Sequence, residues 1–244
     1  MSDQRDLEGL YALVTGATSG IGRAVAEQLA GYGAEVIVHG RDAARGGAVV
    51  DGIAAAGGKA RFVAADLTQP AELDSLVEQA GQVDILVNNA GTAWFGPTAE
   101  LDVATFDQLF IANVRPAYFL TAALAPQMAA RGNGSIINVG SMAGEIGMPG
   151  GAAYSATKAA LDAMTRSWAA EFSPSGVRIN TVASGPVYTA IQPAEVTEAV
   201  GATTVMARAA QPEEIASVIT FLASPRASYI TGAVISADGG RAAI

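Results

Sequence analysis

The chain contains no cysteine and one histidine, His39. Without cysteine there is no disulfide framework, no thiolate metal site and no thiol nucleophile, and no metal centre is expected. His39 falls at the end of an expected strand, where it reads as a packed or solvated residue with no chemistry of its own. Long apolar runs are also missing: none reaches the length that spans a bilayer. The opening Met1-Ser2-Asp3-Gln4-Arg5-Asp6 is polar and lacks the apolar core of a signal peptide. A cytoplasmic protein without membrane contact is the expectation. Positive charge is scarce, with 14 Lys and Arg against 23 Asp and Glu and a net charge of −9. That balance repels nucleic acid and anionic lipid, and no basic cluster offsets it locally. It also counts against an acidic protein partner. An anionic ligand would have to be held by local dipoles and a few specific cations.

What is present is a regular alternation. The 244 residues are half apolar and include 28 glycines, which suits a close-packed α/β protein with many strand-to-helix turns. Apolar runs predict strands over Leu10–Thr15, Glu35–His39, Ala60–Ala65, Asp84–Asn88, Ser135–Gly140, Val177–Val182 and Ala233–Ser236. Helical patterns lie between them: Ile21–Ala30, a helix capped by Asp42 and running to Ala56, Pro70–Ala80, Asp102 to about Ala130, Ala152–Phe172 and Pro212–Ala223. Pro116 and Pro126 inside the fourth predict a kink or break. With no linker, repeat or low-complexity tract, the pattern predicts one parallel-sheet domain over residues 1–244. The glycine-, amide- and hydroxyl-bearing residues fall just after strand ends. In an open parallel sheet those ends share one edge, where ligands bind.

The first of these clusters is Thr15-Gly16-Ala17-Thr18-Ser19-Gly20-Ile21-Gly22. Gly16 permits a tight turn, Gly20 lets backbone approach a ligand, and Gly22 lets the following helix pack close to the sheet. The helix N-terminus then offers free N–H groups to a phosphate. The second strand ends in Gly40 and Arg41 rather than an acidic residue. A guanidinium suits a ribose 2′-phosphate, so NADP(H) is preferred over NAD(H); the adjacent Asp42 reads as a helix cap. Asp66, in Ala65-Asp66-Leu67-Thr68, suits either the adenine amino group or a helix cap. Asn88-Asn89-Ala90-Gly91 places two amides at the end of an apolar strand, where they need partners, with small Ala90 and Gly91 leaving room for a flat ring.

Tyr154 and Lys158 are four residues apart on a helix and therefore share a face. An ammonium beside a phenol favours the phenolate, so the pair reads as an acid/base tyrosine able to exchange a proton with a substrate oxygen.

Taken together, these motifs resemble the short-chain dehydrogenase/reductase family over essentially the whole chain. The marks are Thr15-Gly16-x3-Gly20-Ile21-Gly22, Asn88-Asn89-Ala90-Gly91, Asn113, Ser141, Tyr154-x3-Lys158, Ser228-Tyr229-Ile230-Thr231-Gly232 and Asp238-Gly239-Gly240. The resemblance implies a Rossmann-like three-layer sandwich with a seven-stranded parallel sheet, hydride transfer at a nicotinamide, and a homotetramer with the Asp102–Ala130 and Ala152–Phe172 helices at one interface. It implies Tyr154 as acid/base, Lys158 as its activator and ribose ligand, Ser141 as holder of the substrate oxygen, and Asn113 as anchor of a proton-relaying water. Cofactor contacts are then expected at Gly16, Thr18, Ser19, Gly20, Ile21, Arg41, Asp66, Leu67, Asn89, Ala90, Gly91, Tyr154, Lys158, Gly185, Pro186, Val187 and Thr189. One position departs from the family pattern: Ser184 stands where proline is usual, and a looser turn is expected there.

The substrate is expected between Trp94-Phe95, Glu145–Gly151 and a mobile lid over about residues 187–210. Trp94, Phe95, Ile146, Met148, Tyr188, Ile191 and Met206 suggest a hydrophobic or mixed compound. A free ketone or secondary alcohol is preferred. A 3-oxoacyl carrier protein is the alternative, with Arg131 as its candidate docking cation. A nucleotide-binding regulator without turnover is a third reading, disfavoured by the intact Ser141, Tyr154 and Lys158.

Overall fold

A computed structural model describes residues 5–244. Seven parallel strands form one sheet: β1 (Tyr11–Val14), β2 (Glu35–Gly40), β3 (Lys59–Ala64), β4 (Ile85–Asn88), β5 (Gly134–Ser141), β6 (Val177–Ser184) and β7 (Val234–Ala237). Their spatial order is β3-β2-β1-β4-β5-β6-β7. The chain winds outward from β1 in one direction and then, from β4, in the other. The crevice at the carboxyl ends of β1 and β4 is therefore the switch point where such sheets bind ligands.

Helices cover both faces: α1 (Gly20–Gly31), α2 (Ala43–Ala55), α3 (Pro70–Ala80), α4 (Val103–Asn113), α5 (Arg115–Arg131), α6 (Ala152–Phe172), α7 (Ala194–Gly201) and α8 (Pro212–Ala223). Alternate residues of a strand point to opposite faces. Ala12 and Val14 of β1 thus pack with α1, α2 and α8, while Leu13 packs with α3, α5 and α6. Burial on both sides explains why the strands read as continuous apolar runs rather than alternating ones.

The local signals mostly act where expected. Asp42 accepts from Arg45 N–H (3.0 Å) and Asp102 from Thr105 N–H (2.9 Å), each closing a helix start. The predicted helix from Asp102 is two helices, α4 and α5, meeting at Val114. Pro116 sits in the first turn of α5, where its missing N–H costs nothing and forbids a continuous ladder. Pro126 lies inside α5 without ending it. β5 runs one residue and β6 two residues beyond their predicted ends, so Ser141 and Ser184 pair across the sheet edge.

A buried polar chain ties β4, β5, α6 and β6 together. Asn88 Nδ2 donates to Asn138 Oδ1 (2.9 Å), Asn138 Nδ2 donates to Thr165 Oγ1 (2.7 Å), and the Thr165 and Thr181 hydroxyls bond at 2.8 Å. Asn138, Thr165 and Thr181 have no exposed surface. Asn138→Ala would remove both of its bonds, to Asn88 and Thr165, in a dry interior. It is expected to destabilise the fold by roughly 2–4 kcal/mol, measured as a lower urea midpoint with an unchanged denaturant slope.

Candidate active site

The first turn is built by mutual hydrogen bonding across the switch point. Thr15 Oγ1 accepts from Asn89 N–H (2.9 Å) and Ala90 N–H (3.0 Å), and Asn89 Nδ2 donates to Thr15 O (2.8 Å) and Gly16 O (3.2 Å). Gly16 has φ +63°, a backbone state that side chains disfavour. A methyl group on Gly22 would stand 2.4 Å from both Asn89 Nδ2 and Gly16 O, so the turn can close only on a residue without a side chain. His39 completes the clamp: Gly16 N–H donates to Nδ1 (3.2 Å), and Nε2 lies 3.1 Å from Ala65 O. An acceptor Nδ1 requires the neutral ring. Burial pushes the His39 pKa down, in the same direction.

The N-terminus of α1 is left open. Ser19, its N-cap residue, makes no side-chain capping bond, and no acidic residue occupies the first turn. Free N–H groups at a helix start suit a phosphate. The turn opens into a cleft of about 510 Å³. Of the expected cofactor contacts, Gly16, Thr18, Ser19, Gly20, Ile21, Arg41, Asp66, Leu67, Asn89, Ala90, Gly91 and Thr189 line it. Arg45, Thr92 and Gln108 line it as well, though the sequence did not single them out. At the far wall, Asp42 is occupied at both oxygens by Arg45, through N–H and Nε (3.0 Å each). Asp66 does not cap α3, whose N-cap is Gln69. Instead its Oδ1 accepts from Thr68 N–H (2.9 Å) and Oγ1 (2.8 Å), bonds that hold the Asp66 pKa below the usual carboxylate value.

The other end of the edge carries Tyr154, Lys158, Ser141 and Asn113. Lys158 is 6 % exposed; its Nζ donates to Val139 O (2.9 Å) and lies 5.7 Å from the centre of the Tyr154 ring. Among the described residues it has no ion-pair partner. The turn of α6 between them is fixed by Thr157, which donates to Tyr154 O (2.7 Å) and accepts from Asn113 Nδ2 (3.0 Å). Asn113, the last residue of α4, is fully engaged: Oδ1 accepts from Thr92 N–H (2.7 Å) and Nδ2 also donates to Thr92 O (2.9 Å). Gly91 joins the two ends, because a methyl group there would lie 2.9 Å from Asn113 Oδ1 and 3.9 Å from Lys158 Nζ. Ser141 Oγ accepts from Ala143 N–H (3.2 Å), which leaves its own proton free to point elsewhere. Phe95 meets the Tyr154 ring edge-on at 5.3 Å.

The expected lid is structured. Val187 and Ala210 form a parallel bridge, with Tyr188 N–H bonded to Ala210 O (3.1 Å) and Ala210 N–H to Pro186 O (2.9 Å). Between these pinned ends stands α7. Pro193, Glu195 and Gly201 are its start and stop signals in the sequence. Ser184 does not loosen the turn before it. Its Oγ donates to Gly140 O (3.3 Å), and a methyl group on Gly185 would come 2.6 Å from Asp238 Cα. The expected substrate-lining residues are not gathered in one pocket. Ile191 borders the cofactor cleft, Met206 a hollow with Pro186, and Ile146 and Met148 an apolar hollow of about 520 Å³ against α7. Arg131 is bonded to Val83 O (2.6 Å) and paired with Asp84 (3.1 Å).

Asp162 stands one turn beyond Lys158 on α6; its i+4 spacing from that lysine is visible in the sequence, but its buried surroundings are not. It is 6 % exposed and its Oδ1 has no hydrogen-bond partner. Burial, reinforced by the charge of Glu145, pushes its pKa from 3.8 to about 6.

A doubly wound sheet with an open helix start and an amide clamp at its switch point defines the nucleotide-binding class of α/β proteins. Comparison with known proteins narrows the class. A family model described as enoyl-(acyl carrier protein) reductase matches residues 16–242. The chain is similar to galactitol 2-dehydrogenase (L-tagatose-forming) of Cereibacter sphaeroides, with 39 % identity over 244 residues, 96 % of this chain and 95 % of that one. It is also similar to a solved structure assigned as a β-ketoacyl-ACP reductase (49 % identity, TM-score 0.91, 98 % of this chain and 100 % of the other). A third similar protein is assigned as an NAD(P)-dependent gluconate 5-dehydrogenase from Beutenbergia cavernae, with NADP bound at low occupancy (36 % identity, TM-score 0.94, 99 % and 100 % covered). The chain belongs to the short-chain dehydrogenase/reductase family and is an oxidoreductase acting on CH–OH groups with a nicotinamide cofactor.

Two outcomes follow from this geometry. Gly22→Ala must displace either the Asn89 amide or the Gly16 carbonyl, and is expected to weaken nucleotide binding at least tenfold by calorimetry, a cost of about 1.4 kcal/mol or more. Asp162 binds its proton more tightly folded than unfolded. Its stabilising share is therefore complete below pH 3.8 and lost as pH rises through about 6. Asp162→Asn should gain roughly 1–3 kcal/mol relative to the parent across that window, read from urea midpoints at successive pH values.

Proposed function

We propose that the protein is an NADP(H)-dependent reductase or dehydrogenase of a free small-molecule ketone or secondary alcohol, with Tyr154 as the proton-transferring group. The observation that carries this reading is the buried Lys158 ammonium, unpaired with any carboxylate, beneath the Tyr154 ring and one strand end from Ser141. In reduction, Tyr154 gives its hydroxyl proton to the carbonyl oxygen while Ser141 donates a hydrogen bond to that oxygen, so charge developing there meets two donors. In oxidation Tyr154 takes the proton back. When bound, the nicotinamide accepts or supplies the hydride. Lys158 holds positive charge beside the phenol and reaches toward Gly91, where the cofactor ribose would lie. Asn113 sets the Thr92 loop and, through Thr157, the register of the Tyr154 turn. In this reading a relayed water would sit on its main chain, since its side-chain amide is spoken for.

The preference for NADP(H) rests on Arg41. Asp42 is held at the α2 start by Arg45, which leaves the Arg41 guanidinium at the cleft wall without a carboxylate on it. A 2′-phosphate there would gain a charge-assisted, bidentate partner. The residues fit the cofactor: an uncapped helix start for the pyrophosphate, with Thr189 against Gly20 where it could reach the pyrophosphate or the carboxamide, and Asp66 Oδ2 free of hydrogen bonds for the adenine amine; Gly185–Val187 lie outside this cleft and are proposed to border its nicotinamide end. The 187–210 segment is proposed as the lid, hinged at its Val187–Ala210 bridge. A free substrate is preferred to a carrier-protein thioester because the net charge is −9 and Arg131 is occupied by Asp84. Exposed Phe106, Tyr118 and Phe119 on α4 and α5 favour a homotetramer built on those helices. A single catalytic domain in the cytoplasm completes the proposal, resting on the cysteine-free composition.

The test is NADPH consumption with a panel of ketones. Tyr154→Phe should lower the rate at least a hundredfold while nucleotide binding persists; equal rates would remove Tyr154 from the chemistry. Binding without turnover by the unaltered protein would favour a regulator. Arg41→Ala should weaken NADP binding roughly tenfold or more and leave NAD binding nearly unchanged.

A further inference from the structure

Behind Ser141 lies a carboxyl group that the reaction as described does not use. Asp162 projects from α6 toward the sheet. A methyl group on Gly140 would lie 3.5 Å from its Oδ1, and one on Gly144 would lie 3.1 Å from its Oδ2. The carboxyl thus rests against the two backbone positions that bracket Ser141. A methyl group on Gly144 would also lie 3.2 Å from the Lys158 carbonyl carbon, so the same turn of chain packs on Lys158 and Asp162 together. Oδ1 is buried without a partner, and Thr181 of β6 stands beside it at the same Gly140 position, its Cγ2 2.5 Å from a methyl group placed there. The Thr181 hydroxyl is the end of the buried Asn88–Asn138–Thr165–Thr181 chain.

The charged groups acting on Asp162 are few. Glu145, after the 142–144 turn, opposes its ionisation; Lys158 and Arg166, one helical turn to either side on α6, favour it. β5 and β6 face it with Gly140 and Thr181, neither of them charged. Glu145 is itself held outward by Ser236 Oγ, which donates to Oε2 (3.0 Å).

We propose that Asp162 is a positioning residue whose proton occupancy sets the charge behind Ser141 and Lys158, and through it the pH range over which Tyr154 exchanges its proton with substrate. The proposal deepens the functional reading above and rests on it. Ionised, the carboxylate offsets part of the Lys158 field at the phenol; protonated, it leaves that field whole. Burial keeps the carboxyl in a titrating range instead of permanently charged, and its unsatisfied Oδ1 gives the proton a place to reside.

Asp162→Asn preserves the shape and removes the charge. In the alcohol-oxidising direction, the rise of kcat/KM with pH should move about half a pH unit lower in this variant, with maximal kcat within about twofold. Asp162→Ser, smaller and also neutral, should move it the same way and serves if the first variant does not fold. A second readout needs no turnover: the carboxylic-acid stretch in infrared difference spectra, parent minus Asp162→Asn, should vanish as pH rises through about 6. Glu145→Gln should shift that midpoint to lower pH. A neutral variant that loses rate equally at every pH would assign Asp162 a merely structural role and overturn the proposal, as would an infrared band that never appears. An inert parent enzyme would overturn the functional reading and this inference together. A working parent with an unshifted variant overturns the inference alone.

Discussion

The structure depends on a buried ammonium group that no carboxylate touches among the described residues. Lys158 donates to one backbone carbonyl, Val139 O, and the nearby Asp162 carboxyl acts on it only through space. Burial of a charge without a contacting counter-ion costs several kcal/mol even after relaxation. Proteins keep such arrangements where the field has a use. Here Lys158 Nζ lies 5.7 Å from the centre of the Tyr154 ring, and much of the surrounding structure holds the two side chains in place. The break between α4 and α5 places Asn113 against Thr157, which fixes the turn of α6 that carries both. A methyl group on Gly91 would crowd Asn113 Oδ1, at 2.9 Å, and just touch Lys158 Nζ, at 3.9 Å.

The opposite end of the sheet edge works by a different principle. There, neutral groups do the holding: the Thr15 hydroxyl, the Asn89 amide and the His39 ring each satisfy backbone groups that the switch point leaves unpaired. A satisfied, rigid clamp keeps the first turn shaped and leaves the α1 N–H groups outside it free. Fixed dipoles can then do what a net charge of −9 cannot, which is to attract an anionic nucleotide to an acidic protein.

Much of this was readable in the sequence because it is local or periodic. Strand positions, the Gly16–Gly22 turn, the helix caps at Asp42 and Asp102, and the shared face of Tyr154 and Lys158 follow from spacing alone. The two amides at and just after the end of β4 were expected to need partners, and each finds them: Asn88 on β5 and Asn89 on the first turn. The failures have physical reasons. Asp66 was left between adenine contact and helix cap because cap and Asx turn use the same residue types, and only the backbone path, which gives an Asx turn to Thr68, separates them. The helix α7 inside the expected lid went unread because it is eight residues long, too short for periodicity to outweigh its Ala and Thr content. Ser184 looked like a weakened turn because the compensating contact, to Gly140 on the neighbouring strand, is non-local. Asp162 escaped notice because its surroundings come from β5, β6 and the 142–144 turn, which sequence spacing does not bring together.

The dependence of proton transfer at Tyr154 on the Lys158 charge is read from alcohol oxidation by Lys158→Met, which keeps the length of the side chain and removes the charge. Its rate at pH 7 is expected to fall at least a hundredfold, with part of the loss regained as pH is raised. A variant with the parent's rate and the parent's pH profile would contradict that dependence.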